Sequence, residues 1–165
     1  MSVYTSVSLE QLENFIGHFG RVGTPRELVG ISQGVENTNY FLTTDRDEYV
    51  LTLFERVPEE DLPFFLNLMA FLGDRELPVP RPVADDEGNY LRRLAERSAA
   101  IVTKLPGRTV YYPGVEHCAA VGTVLGRMHR AGQEFPRSRP NPRGPSWWQD
   151  TAAALEDDLA PDELR

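Results

Sequence analysis

The sequence predicts an α+β fold, a small antiparallel sheet with packed helices followed by helices alone. Two observations point there. The first is a hairpin signature: the glycine-and-amide segment Gly30-Ile31-Ser32-Gln33-Gly34 runs into an apolar stretch through Leu42, and a second stretch, Tyr49 to Phe54, follows a polar connection from Asp45 to Glu48. The second is a change of pattern at Lys104, after which no strand-like run occurs and only helical stripes remain.

Taken in order, Ser8-Leu9-Glu10-Gln11 has the form of a capping box, and Leu9, Leu12, Phe15, Ile16 and Phe19 then share one helical face up to Gly20. The hairpin follows. Pro58-Glu59-Glu60-Asp61 opens a second helix, whose acidic start suits the positive end of the helix dipole; Leu62, Phe65, Leu66, Met69 and Leu72 form its stripe, and Gly73 stops it. The proline-rich stretch from Leu77 to Pro82 excludes helix, Asp85 to Asn89 forms a turn, and Ser98 to Thr103 reads as a strand, so that two more strands follow the second helix. Lys104-Leu105-Pro106-Gly107-Arg108 breaks the pattern. A helix from Val115 to Ala131 then carries Cys118, Val121, Val124, Leu125 and Met128 on one face and stops at Gly132. Residues 135–145 form a proline-rich connector, and Ser146-Trp147-Trp148-Gln149 reads as a second capping box opening a helix through Leu155 and Leu159. The organisation is therefore a sheet-bearing part, 1–104, and a helical part, 105–165.

At 165 residues and 41% hydrophobic composition the chain can bury a substantial core. Its net charge of −8 argues against nucleic acid as a partner, because phosphate neutralisation needs basic stripes. One cysteine excludes an internal disulfide and a cysteine-ligated zinc, and with no leader-like or membrane-spanning stretch this points to the cytoplasm and no membrane partner. Lys104 is the sole lysine among 17 basic residues, so chemistry that needs a lysine has one candidate.

Sheet, short linker and helical part together form the layout of a protein-kinase-like small lobe followed by the first helices of an incomplete helical large lobe. Six stretches make the layout specific: Gly-Ile-Ser-Gln-Gly-Val-Glu-Asn-Thr-Asn-Tyr-Phe at 30 to 41, Tyr-Val-Leu-Thr-Leu-Phe-Glu at 49 to 55, Asp-Leu-Pro-Phe-Phe-Leu at 61 to 66, Leu-Pro-Gly-Arg at 105 to 108, His-Cys-Ala-Ala-Val-Gly at 117 to 122 and Asn-Pro-Arg-Gly-Pro-Ser-Trp-Trp at 141 to 148. With these the chain resembles, over its whole length, the homoserine kinases of the aminoglycoside-phosphotransferase and choline-kinase superfamily. The resemblance implies ATP as co-substrate, Mg2+, homoserine as the small-molecule acceptor and a role on the route to threonine. Its alternatives are a kinase for another amino alcohol or an aminoglycoside, and a nucleotide- or partner-binding module without catalysis.

Carried over by position, the resemblance makes Ser32, Gln33 and Gly34 the tip of a phosphate-covering loop and Asn37, Thr38 and Asn39 the start of the return strand. Their amides and hydroxyls are suitable donors to phosphate oxygens. Adenine would lie along Ala100 to Leu105, meeting backbone groups at Val102, Thr103 and Leu105. Either Glu60 or Asp61 would be the helix carboxylate. Two departures accompany these assignments. Thr52 stands where the strand lysine of kinases belongs, leaving Arg56, a group from elsewhere or the metal to neutralise phosphate. No histidine begins a His-x-Asp catalytic loop: the three read His18-Phe-Gly, His117-Cys-Ala and His129-Arg-Ala. No catalytic or metal-binding residue is therefore assigned, and the expected partner is the C-terminal lobe of the same protein. Among the remaining features, Cys118 reads as a small core residue, Trp147 and Trp148 as packing anchors, His129 as a polar cap, and Arg137, Arg139 and Arg143 as a solvated connector with phosphate contact as the alternative.

Overall fold

Alternation builds the sheet. Every second residue is buried on β2 (Asn37–Thr44) and β3 (Glu48–Phe54), namely Thr38, Tyr40, Leu42 and Thr44 on the one and Tyr49, Leu51 and Leu53 on the other. In the computed structural model, which describes residues 3–32 and 34–155, these strands are the centre of a five-stranded antiparallel sheet ordered β1-β2-β3-β5-β4. The others are β1 (Pro25–Gly30), β4 (Arg92–Leu94) and β5 (Arg97–Thr103). The register sets Tyr40 opposite Leu51 and Leu51 opposite Ile101, so three strands contribute to one apolar row.

That row is covered by α1 (Leu9–Ile16). Its capping box is complete: Ser8 Oγ accepts from the Gln11 N–H and Gln11 Oε1 accepts from the Ser8 N–H. The helix ends at Ile16, earlier than Gly20, with Gly17 as its C-cap. Tight turns then carry the apolar stripe onward, the Phe19 N–H donating to Ile16 O (2.8 Å) and the Val22 N–H to Phe19 O (2.9 Å). Phe19 and Val22 thereby join Leu12, Phe15 and Ile16 against Tyr40, Leu42, Leu51, Leu53 and Ile101. β1 is a strand that the sequence reading left out. It lies at the edge and begins at a proline, as edge strands tolerate, and none of its residues is fully buried, so it has no period-2 stripe to see.

A 3-10 turn, Glu59–Asp61, leads into α2 (Leu62–Gly73). Leu62, Leu66 and Leu72 are buried on it but lie outside the α1 cluster, as do Ala100 and Val102 of β5. After β5 the chain turns helical, with α3 (Val115–Gly132) and α4 (Pro145–Leu155), neither of which contains a buried residue. Cys118, expected in a core, is exposed. Trp147 and Trp148, expected as packing anchors, are 43% and 62% exposed. α4 begins at Pro145, which suits a first helical position, and Ser146 therefore lies inside the first turn, not at the cap. Leu159 is outside the described residues.

Candidate functional site: the β1–β2 loop and the sheet face beneath it

The loop begins one residue beyond β1, where the Ile31 N–H donates to Asn39 O at 2.8 Å and extends the ladder. Ser32 and Gly34 are exposed at the tip, and Gln33 lies outside the described residues. Gly34 has φ +141°, a conformation closed to other residues without strain. Gly30 serves a different purpose: a Cβ there would stand 2.8 Å from Val3 Cγ2, so its small size admits the N-terminal segment and not an anion. That segment and the connector between α3 and α4 both hold the loop's return limb. Tyr4 Oη donates to Val35 O at 3.2 Å, and the Arg143 guanidinium donates to Glu36 Oε1 at 3.2 and 3.3 Å.

Strand alternation divides the expected donors of β2. Asn37, Asn39 and Phe41 face away from the α1 cluster, level in register with Phe54, Thr52 and Val50 of β3 and, beyond them, with Ser98, Ala100 and Val102 of β5. Thr38 points the other way and is fully buried. Its Oγ1 accepts from the Tyr4 and Thr5 N–H groups (2.9 and 3.1 Å) and donates to Glu55 Oε1 (2.7 Å). The expectation that the Thr38 hydroxyl serves phosphate is therefore corrected: it ties the N-terminal segment to the sheet. Asn39 Oδ1 accepts from Thr52 Oγ1 at 2.8 Å, so the position where kinases carry a lysine holds a neutral strand-to-strand bond.

At the far end of the same face β5 leads into the expected adenine edge. Val102 is nearly buried and Leu105 is half-exposed. Thr103 is committed within the small sheet: its N–H donates to Arg81 O and its Oγ1 accepts from the Arg81 N–H, both at 2.9 Å. Its amide is thus withdrawn from ligand recognition, which corrects that part of the expectation. Lys104 is bound to Glu48 Oε1 at 3.0 Å, with its ammonium 5.0 Å from the Phe41 ring centroid.

A glycine-bearing loop joining two strands of an antiparallel sheet, packed helices and a strand-to-helix linker at the end of the sheet is also the arrangement shared by a known family. The phosphotransferase enzyme family matches residues 27–165. The chain belongs to this family. Among curated relatives, a homoserine kinase of Cupriavidus pinatubonensis is 46% identical over 159 residues, and one of Polaromonas naphthalenivorans is 48% identical over 155, each alignment covering 94% of this chain. The chain spans about half the length of these relatives, 48% and 49%. Two solved phosphotransferase structures share the fold. An amicoumacin kinase in complex with AMP-PNP, Ca2+ and Ami has a TM-score of 0.65 at 18% identity, covering 94% of this chain and 49% of that one. A spectinomycin phosphotransferase in complex with ADP and spectinomycin has 0.66 at 16%, covering 93% and 48%.

Against this family frame the connector departs from a solvated stretch. Arg139 Nη2 lies 2.5 Å from Asp61 Oδ2, with both side chains about three-quarters covered. The hydrogen bond from Arg139 holds the Asp61 carboxyl below its ordinary range, against the opposing effect of desolvation, and Asp61 in turn raises the Arg139 guanidinium. Asp61 was one of the two residues expected as the helix carboxylate, whereas Glu36 was passed over and Arg139 was read as part of a solvated connector, since the partners in these pairs lie 107 and 78 residues apart. Of the cavities, one of about 610 Å³ lies between α3 and the segment after α2, lined by Arg75, Leu77, Thr123, Arg127 and Arg130, and another of about 610 Å³ includes Thr103 of the expected adenine edge. Neither is lined by a described residue of the β1–β2 loop. Among the described residues no group of three or more His, Cys, Asp or Glu is placed to hold a metal ion, and none of the helices is long and apolar enough to cross a membrane.

Proposed function

We propose that the chain is the nucleotide-binding part of an ATP-dependent kinase that phosphorylates the side-chain hydroxyl of homoserine, on the route to threonine in the cytoplasm. The observation that carries the nucleotide reading is the β1–β2 loop: its Gly34 holds a conformation that only glycine adopts readily and lies beside Asn39, a Cβ there standing 3.7 Å from Asn39 Nδ2, on the sheet face that also bears Asn37 and Val102. Backbone N–H groups of such a tip meet phosphate oxygens without a side chain in the way. Ser32, Gln33 and Gly34 cover the phosphates in this reading, Asn37 and Asn39 line the face below them, and Val102 and Leu105 flank the adenine. Thr38 is left with a structural part. Residues 1–104 form the small lobe and 105–165 begin the helical one.

Homoserine is favoured over an aminoglycoside because the relatives of that name are 46 and 48% identical, whereas the antibiotic kinases at 16 and 18% share fold alone. The transfer step needs an aspartate to orient the attacking hydroxyl, and no His-x-Asp sequence occurs in the chain. Binding and phosphate coverage are therefore the share of the reaction these residues perform. Mg2+ would arrive with the nucleotide, bound chiefly to its phosphates.

Calorimetry with MgATP on this chain, on Gly34→Val and on a chain extended through the next His-x-Asp sequence tests the reading. Binding by the parent and extended chains is expected, with a loss of about tenfold or more in Gly34→Val, because the substitution strains the loop by roughly 1–3 kcal/mol. Absence of binding by both the parent and the extended chain would overturn it.

A further inference from the structure

In kinases the helix beside the sheet is held by an ion pair between its own carboxylate and a lysine of the third strand. Here that pair cannot form. Thr52 occupies the strand position and is bonded to Asn39, and the one lysine is engaged with Glu48. The carboxylate at the head of α2 nevertheless has a cation, Arg139, which reaches it from the connector between α3 and α4.

The connector follows α2 from its end to its beginning. Glu134 pairs with Arg75, just past the helix, at 3.1 Å. Phe135 sits edge-on to Phe71 (5.2 Å) and Phe64 (5.6 Å). Arg139 then meets Asp61, with its guanidinium carbon 5.2 Å from the Phe65 ring centroid. Beyond the helix, Arg143 reaches Glu36 at the return limb of the loop. An exposed ion pair by itself contributes little, which describes Arg143 with Glu36. Arg139 differs, because its planar guanidinium is partly covered, lies over an aromatic ring and is delivered by a segment already seated by two aromatic contacts. Pro136, Pro140 and Pro142 restrict that segment before it docks.

We propose that residues 134–143 form a strap that positions α2, with Arg139 as the positioning residue that holds the helix in place of a strand lysine, while Arg143 only touches the return limb of the phosphate-covering loop at Glu36. The strap's effect on nucleotide rests on the kinase reading above; its hold on α2 does not. The neutralisation of phosphate charge is a separate task that Arg139, occupied by Asp61, leaves to other groups.

Hydrogen–deuterium exchange on this chain separates the two. In Arg139→Gln the amides of α2 are expected to exchange about tenfold faster, while those of β2 and β3 keep their rates. Arg139→Lys should recover only part of the protection, since an ammonium lacks the guanidinium fork, and the exchanged pair Asp61→Arg with Arg139→Asp should recover more than either single change. MgATP affinity, read by calorimetry, should fall severalfold in Arg139→Gln with an unchanged melting temperature. Unaltered α2 exchange in Arg139→Gln, or equal acceleration across helix and sheet, would overturn the strap. Failure of the unmodified and extended chains to bind MgATP would instead sink the kinase reading, and the α2 exchange would still decide the strap.

Discussion

The hydroxyl of Thr38 makes three hydrogen bonds in a fully buried position, two accepted from backbone N–H groups and one donated to Glu55. Glu55 is itself tied, accepting from Thr5 Oγ1 (2.7 Å) through one oxygen and pairing with Arg97 Nε (3.0 Å) through the other. Thr38→Val preserves shape and removes every one of the hydroxyl's bonds, leaving two N–H groups to find water. It should destabilise the protein by about 1–3 kcal/mol in urea unfolding and expose the segment before Ser8 to protease, with Thr38→Ser restoring most of both. A Thr38→Val variant as stable as the parent would mean that the segment is not held there. The side on which Thr38 lies was legible in the sequence: placing Tyr40 and Leu42 in the core places Thr38 with them. The resemblance drew attention to its hydroxyl as a phosphate donor, and alternation along the strand overrules that.

At the scale of elements, the parts with their own local signal were readable and those that depend on distant partners were not. α1 was legible because a capping box and a 3.6-residue stripe both lie within a few residues, and β2 and β3 because their alternation is strict. The connector was not, since prolines and arginines look alike whether solvated or docked, and only the fold brings Arg139 to Asp61. The turn at 85–89 is an intermediate case. Its composition announced a turn, but not that Asp85 would accept from the Glu87 and Asn89 N–H groups, pair with Arg92 Nε at 2.9 Å and so fasten edge strand β4. Beside it, Asp86 accepts from the Gly20 N–H and fastens the end of the α1 region. Burial pushes the Asp85 carboxyl up, but these N–H donors and Arg92 outweigh it and leave the group below its ordinary value. A depressed folded pKa stabilises at neutral pH, and that stabilisation is lost as the pH falls through the folded value. Asp85→Asn should therefore melt below the parent at pH 7 and converge with it in acid, below the ordinary carboxylate range near about 4. A gap that stayed constant with pH would show that the charge is not what holds the turn.

For the whole molecule the two halves differ in what they bury. The sheet with α1 has a core of thirteen buried residues drawn from four strands, α1 and the turns after it. In contrast, α3 and α4 have none, and Val121 (66%), Leu125 (47%), Trp147 (43%) and Trp148 (62%) face solvent. The apolar stripe that identifies α3 as an amphipathic helix is real, yet stripes are blind to whether anything covers them, so periodicity located the helix and misjudged its burial at Cys118. Uncovered apolar faces of this kind favour association. Sedimentation of the chain should accordingly give an apparent mass that rises with concentration, and Val121→Glu with Leu125→Glu should lower it while leaving the unfolding of the sheet half unchanged. A concentration-independent monomer would mean that α3 and α4 shield these side chains from one another in solution. The strap sharpens the expectation, because residues 134–143 fasten the helical half to α2 without covering the outer faces of its helices, leaving those faces available while the small lobe stays folded.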